Sequence, residues 1–268
     1  MFVKRMKAPT PFSLMREMII GSPLHWRNQI LGCRLSPIED SEVLSLILRG
    51  YSFVRWGDGE TAIARGKSIH YQIFNEELQK KLRSLLLVPP IKTIFGVSWV
   101  VYSSIFDARW NKRIFGIMFS TRVYWAKMCR SQFNQVRISR TEFWWNNADN
   151  ISSILEILQN NGRNLILVGP RKFIALCPKK TELIEIKPVD AFAEYENLHR
   201  AVLSAHRKYG ESLTLVVAAG PTSKALVHDF ASRLQILDIG HGLDFALHGQ
   251  GSWSWSSRNS DEKESEIE

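Results

Sequence analysis

Asp58 and Glu60, in the stretch SFVRWGDGE that runs from Ser52 to Glu60, are two carboxylates one residue apart, each preceded by a glycine. Carboxylate oxygens suit hard divalent cations such as Mg2+ and Mn2+. Acids at the head of a helix also satisfy backbone N–H groups that lack partners. A metal or phosphate site and a helix N-cap are therefore both open on this pattern alone. A second stretch, Gly220, Pro221, Thr222, Ser223 and Lys224, sits between an apolar run and a helix expected from about Ser223. There the free N–H groups and partial positive charge of a helix start, with the full charge of Lys224, would welcome phosphate. Its spacing matches neither a Walker A loop nor a G-x-G-x-x-G fingerprint. VGPRKF repeats the logic with Arg171 and Lys172. A third stretch, LDIGHGLDFALHG, gathers Asp238, His241, Asp244 and His248. The histidine spacing fits no common zinc pattern, so Asp238 or His241 reads better as a general base or nucleotide anchor. Phe143, Trp144 and Trp145 stand in a row, and such rings either stack on sugars and bases or fill a core.

These residues need elements to hold them. YSFVRW, KTIFGVS, QVRIS, NLILVGP, ELIEIKP, LTLVVAAGP and LQILDIG read as strands. Helices are expected at SEVLSLIL, at NEELQKKLRSLLL with Asn75 as its N-cap, at NADNISSILEILQNNGR and at DAFAEYENLHRAVLSAHRKYG. Continuous apolar strands alternating with helices predict an α/β fold: a Rossmann-like, mostly parallel sheet covered by helices on both faces. Ligands of such sheets bind outside the carboxyl ends of the strands. GDGE, GPRK, AGPTSK and DIGHGLD all fall there.

Residues 1–40 read as a basic N-terminal extension, 41–248 as the α/β domain and 249–268 as a polar, acidic tail expected to be disordered. PFSLMREMII, in the extension, has an amphipathic helical spacing beside Lys4, Arg5 and Lys7, which suits peripheral contact with a membrane surface or packing on the domain. The formal net charge is +9, and the last ten residues carry five acids against one lysine, so the rest of the chain is more basic still. That balance favours an anionic partner: a nucleotide, a nucleic acid or an acidic membrane. Cys33, Cys129 and Cys177 are far apart, which excludes a C-x-x-C zinc site and fits a reducing cytoplasm. No apolar run is long enough to span a bilayer, and no secretory signal is recognisable.

In order and spacing, SFVRWGDGE, HYQIFNEELQKKL, LILVGP, IKPVDAFAEYENL, AAGPTSKALVHDFA and LDIGHGLD resemble the bacterial glycosyltransferases of the GT-D fold, from about residue 42 to residue 247. The resemblance implies a GT-D type α/β fold and a metal-dependent transferase. Such an enzyme moves a sugar from a nucleotide-sugar donor, a UDP-sugar first, to a glycan, lipid-linked or glycoprotein acceptor in surface polysaccharide or glycoprotein synthesis. It also implies that Asp58 and Glu60 hold a divalent metal, Mn2+ or Mg2+, that binds the donor diphosphate. Arg55, Gly57, Gly59, Gln72 and Asn75 would then line the donor site on one side, and Gly220, Pro221, Thr222, Lys224, Asp238 and His241 on the other, with Asp58, Glu60, Asp238 and His241 forming the catalytic set. Trp56 stands where the family tends to have phenylalanine, the acidic continuation after Asp244 is missing, and residues 100–150 match poorly. Two other readings stay in view: a non-catalytic nucleotide-sugar-binding scaffold of a polysaccharide machine, and a basic nucleic-acid-binding protein. The second lacks any RRM or KH signature.

Overall fold

A computed structural model of the chain describes residues 37–97 and 137–249. The expected helix at PFSLMREMII and the acidic tail beyond 249 lie outside the described residues. Among the described residues, seven strands form one sheet: β1 (Ser52–Trp56), β2 (Thr93–Val97), β3 (Arg137–Arg140), β4 (Asn164–Gly169), β5 (Glu182–Glu185), β6 (Leu213–Val217) and β7 (Gln235–Asp238). Their order is β3-β2-β1-β7-β6-β4-β5, and every neighbouring pair is parallel. All seven correspond to runs expected from sequence, and the sheet is wholly parallel rather than mostly so.

The helices are α1 (Asp40–Leu48), α2 (Asp58–Ala64), α3 (Glu76–Leu87), α4 (Phe143–Asn146), α5 (Ile151–Asn160), α6 (Tyr195–Tyr209), α7 (Thr222–Phe230) and α8 (Gly242–His248). Strand alternation splits the core in two. Val54, Trp56, Phe95, Val217 and Ile236 face α2, α3, α6 and α7. Phe53, Ile94, Leu167, Val216 and Leu237 face α1, α4, α5 and α8. The central strands are almost wholly buried, apart from Arg55 in β1 and Asn164 in β4, whereas the edges β3 and β5 begin and end on exposed charges: Arg137 and Arg140, Glu182 and Glu185. Charged ends on edge strands discourage pairing with other chains.

The chain moves outward from β1 through β2 to β3, and the later strands return inward through β6 to β7. The order therefore reverses between β1 and β7. At such a reversal the loops after the two strands diverge to opposite faces and leave a crevice at their carboxyl ends. The loops after β1, β4, β6 and β7 open on that edge.

Candidate functional site at the β1–β7 crevice

The turn after β1 is built by side chains that close on its backbone. Gly57 caps α2, and its N–H donates to Glu60 Oε2 at 2.9 Å. Thr61 Oγ1 donates to Gly57 O at 3.0 Å and accepts from Trp56 Nε1 at 3.1 Å. Asp58 Oδ1 accepts from Gly59 N–H at 2.9 Å. The two acids of the motif diverge from here. Asp58 is exposed at the crevice, whereas Glu60 turns inward.

Beneath the turn lies a buried ion cluster. Lys224 Nζ stands 2.7 Å from Glu60 Oε1 and 2.8 Å from Asp238 Oδ2, and it also donates to Gly220 O at 3.3 Å. The side chains of Lys224, Glu60 and Asp238 are 3, 9 and 1 % exposed. Asp238 Oδ2 also accepts from Arg55 N–H at 3.0 Å, while its Oδ1 is buried with no hydrogen-bond partner. One ammonium thus ties together α2, α7 and β7 at the reversal point.

The carboxyl groups respond to these surroundings in opposite ways. Burial would raise the Glu60 pKa, but the Lys224 charge, the Lys224 hydrogen bond and the Gly57 N–H outweigh it and hold it below the usual carboxylate range. The Asp58 pKa is raised, first by desolvation within the crevice and then by the neighbouring negative Glu60; Gly59 N–H and the charge of His70 pull the other way.

On the other face of β1, the Arg55 side chain reaches across the end of β7. Its Cζ stands 5.0 Å from the centre of the Trp145 ring, a cation–π distance. Gly240, at φ +52°, makes room for it: a Cβ there would sit 2.2 Å from Arg55 Nη1. Beyond it, Asp244 Oδ2 meets His241 Nδ1 at 3.2 Å, and Asp244 Oδ1 accepts from Lys172 Nζ at 3.1 Å. Desolvation pushes the Asp244 pKa up, but these two partners bring it below its ordinary value. Glu142, just past β3, is raised by desolvation despite the charges of Arg55 and Arg140.

Several expected donor residues have other duties. Lys224 is buried in ion pairs, so it is not a free charge for phosphate. The first turn of α7 is closed by Thr222 N–H to Ala219 O, Ser223 N–H to Gly220 O and Lys224 N–H to Pro221 O, and Pro221 and Thr222 are themselves buried. The free N–H groups expected there are therefore already engaged. Gln72, 2 % exposed, donates to Asp190 Oδ1, and its Oε1 accepts from Thr222 Oγ1 at 3.4 Å. It locks the segment before α3 to the neighbouring loops, an interior role where a nucleotide contact was expected. Asn75 caps α3, accepting from the N–H groups of Glu77 and Leu78. Asp238 is too enclosed to serve as a base for an incoming hydroxyl. Asp58, Arg55, His241 and the glycines 57, 59 and 220 do converge on the crevice.

One participant escaped the sequence reading. Tyr71 spans the crevice mouth: a Cβ on Gly59 would fall 3.2 Å from its hydroxyl, and one on Gly220 would fall 3.1 Å from its Cε2. Gly220 has φ +53°, a second reason for glycine there. His70 meets the Tyr71 ring edge-on at 4.4 Å. Tyr71 was legible as an aromatic residue, but no local pattern links it to glycines at the head of α2 and in the turn before α7. Of the aromatic row, Phe143 and Trp144 are core, packing on Phe53, and Trp145 reaches the site.

Comparison with known proteins agrees with this architecture. Residues 53–245 match the family model described as glycosyltransferase GT-D fold. A curated protein of Streptococcus gordonii, probable glycosyl transferase Gly, is 23 % identical over 227 residues, covering 75 % of this chain and 31 % of the relative. The chain thus spans about a third of that relative's length. A solved structure of the domain of unknown function 1792, described as having a distinct glycosyltransferase fold, superposes with a TM-score of 0.60 at 20 % identity, covering 91 % of this chain and 86 % of the other. A glycosyltransferase of the same domain type from Streptococcus sanguinis superposes with a TM-score of 0.54 at 21 % identity, covering 79 % of this chain and 83 % of that one.

Proposed function

Because the chain belongs to the GT-D fold glycosyltransferase family, we propose that it transfers a glycosyl group from a nucleotide-sugar donor bound in the β1–β7 crevice. A UDP-sugar is the first choice of donor, and a glycan, lipid-linked or glycoprotein hydroxyl is the acceptor. The observation that carries this reading is the exposed carboxylate of Asp58, held on a glycine turn at the topological reversal of a parallel sheet.

In the reaction the sugar's C1–O bond to the diphosphate breaks, the acceptor oxygen bonds to C1, and the acceptor's proton leaves to a base. Among the described residues, no group of three or more His, Cys, Asp or Glu is placed to hold a metal. Asp58 nevertheless fits a Mg2+ or Mn2+ site of the kind that uses one protein carboxylate, with diphosphate oxygens and water completing the shell. When bound, that ion would neutralise charge on the departing nucleoside diphosphate. The glycines at 59 and 220 let Tyr71, and the glycine at 57 lets the Glu60 carboxylate, pack close to the backbone, and these side chains form the wall of the crevice. Arg55 supplies a guanidinium from the opposite face, and His241, backed by Asp244, is the base we favour. No described helix is long and apolar enough to cross a membrane.

The test is a melting panel of UDP-, GDP-, CDP- and dTDP-sugars, each with and without Mn2+. A ligand at a hundred times its Kd adds about 2.7 kcal/mol to the folded state. Metal-dependent stabilisation by one nucleotide class, followed by sugar transfer or donor hydrolysis, is expected. Binding of oligonucleotides in preference to every nucleotide sugar would refute the reading.

A further inference from the structure

We infer that the two acids of the GDGE turn have divided roles: Asp58 is the carboxylate available to a divalent ion, and Glu60 is a positioning residue that fixes Asp58 through Gly57. This inference rests on the donor-site reading above, and it departs from the two-carboxylate clamp that the sequence resemblance implies.

The two side chains face different surroundings. Glu60 Oε1 is held by Lys224 at 2.7 Å and Oε2 by the Gly57 N–H at 2.9 Å, with the side chain 9 % exposed. An ion drawing on Glu60 would have to take it from Lys224 or release a buried amide. Either loss costs free energy, because a buried charge or amide left unpaired is penalised. Lys224 itself stands between Glu60 and Asp238 where a cation bridging those carboxylates would stand. Asp58 makes no side-chain to side-chain hydrogen bond among the described residues, and its carboxylate is exposed.

Glu60 reaches Asp58 through a short physical path. Its carboxylate caps the Gly57 N–H, one peptide before Asp58, and a Cβ on Gly57 would lie only 3.3 Å from Glu60 Oε2. With Lys224 holding the other oxygen, the head of α2 is tied to α7 and β7. The orientation of Asp58 is thereby fixed by a carboxylate that need not touch the ion.

Glu60→Gln separates the two roles. Gln keeps an oxygen for the Gly57 N–H and Asp238 still neutralises Lys224, so the cap survives while the Glu60 contact to the ammonium is lost. Glu60→Leu removes the cap as well. The experiment measures Mn2+ affinity by electron paramagnetic resonance, with Mn2+ alone and with UDP, GDP, CDP or dTDP, on wild type, Asp58→Asn, Glu60→Gln and Glu60→Leu. Each protein is assayed well below its own melting temperature. Nucleotide-dependent Mn2+ binding should fall about a hundredfold or more in Asp58→Asn, about tenfold in Glu60→Leu and less than about threefold in Glu60→Gln, in line with the usual effect of residues that support a metal ligand. Rescue by Gln of what Leu loses is a readout that a purely structural role would not give at those temperatures. Loss in a folded Glu60→Gln as complete as in Asp58→Asn would overturn the division and leave the donor site standing. Absence of nucleotide-dependent Mn2+ binding by the wild type would overturn the donor-site reading and this inference with it.

Discussion

Replacing Lys224 with methionine tests whether the ammonium holds the crevice together. Methionine is close to the lysine stem in length and flexibility, so the cavity left behind is small. The charge, however, has no substitute. Glu60 and Asp238 would both remain, at most 9 % exposed, having lost a partner that stood 2.7 and 2.8 Å from their oxygens. Removing one member of a buried ion pair costs about 3–5 kcal/mol because a buried charge is left uncompensated. Two carboxylates share this lysine, so the upper half of that range is expected. At about 2–4 °C of melting temperature per kcal/mol for a domain of this size, 4 kcal/mol corresponds to a fall of roughly 8–16 °C. Urea unfolding of wild type, Lys224→Met, Glu60→Gln and the double variant would give the coupling directly. Glu60→Gln alone should cost about 1.5–3 kcal/mol, the loss of one hydrogen bond to a charged group, because the Lys224–Asp238 pair survives it. In the double variant the lysine substitution should cost at least about 1 kcal/mol less than it does alone. A Lys224→Met protein that melts within about 2 °C of wild type would refute the buried-cluster reasoning.

Two other perturbations follow from geometry. Gly240→Ala combines a left-handed backbone at φ +52° with a Cβ placed 2.2 Å from Arg55 Nη1, so a loss of about 1–2 kcal/mol is expected together with displacement of Arg55. Unfolding curves and Arg55 side-chain NMR shifts would report both effects, and an unchanged Arg55 signal would count against the contact. Asp229 joins three helices, accepting from Lys81 at 2.7 Å and from the Tyr195 hydroxyl at 2.7 Å, with His228 Nδ1 at 2.6 Å. Burial alone would raise its pKa, but these partners hold it well below the usual carboxylate range. A depressed carboxyl contributes stability above its unfolded pKa and loses it as pH falls through and below that value. Stability of the wild type should therefore fall below about pH 4 more steeply than that of Asp229→Asn, which starts about 1–3 kcal/mol lower at neutral pH. Parallel acid limbs in the two proteins would refute the assignment.

The sequence was most informative where structure depends on near neighbours. The seven strands could be read because each is a β-branched or apolar run bounded by turn residues, and Asn75 could be read as a cap because it serves the N–H groups two and three positions on. The short helices α4 and α8 were not anticipated. FWWN offers too few residues for a period, and GLDFALH begins on a glycine. The site was legible as a set of strand ends, yet the direction of each side chain was not. The Arg55 N–H and the Asp238 carboxylate that receives it are 183 positions apart, and the Glu60–Lys224 pair is nearly as distant in sequence. Local pattern gives Lys224 a charge at a helix start. Only the assembled sheet places two acids around it and so turns a phosphate-binding candidate into a structural cation. Of the two openings left by the GDGE turn, the helix cap is seen in Glu60, while Asp58 faces the crevice, where its metal role is our proposal.

The pairing of β1 with β7 has a consequence for how this protein comes off the ribosome. Among the described strands β1 is the first synthesised and β7 the last, yet they lie side by side at the middle of the sheet. At about 5–20 residues per second, the 183 residues between Arg55 and its partner Asp238 take roughly 10–40 seconds to make. For that interval one flank of β1 presents an unpaired row of backbone groups, and Glu60 of its turn stays outside the ion cluster it later joins with Lys224 and Asp238. The nascent chain therefore carries an open central edge until β7 docks, the kind of surface that recruits chaperones and that makes truncation before β7 far more damaging than its length implies.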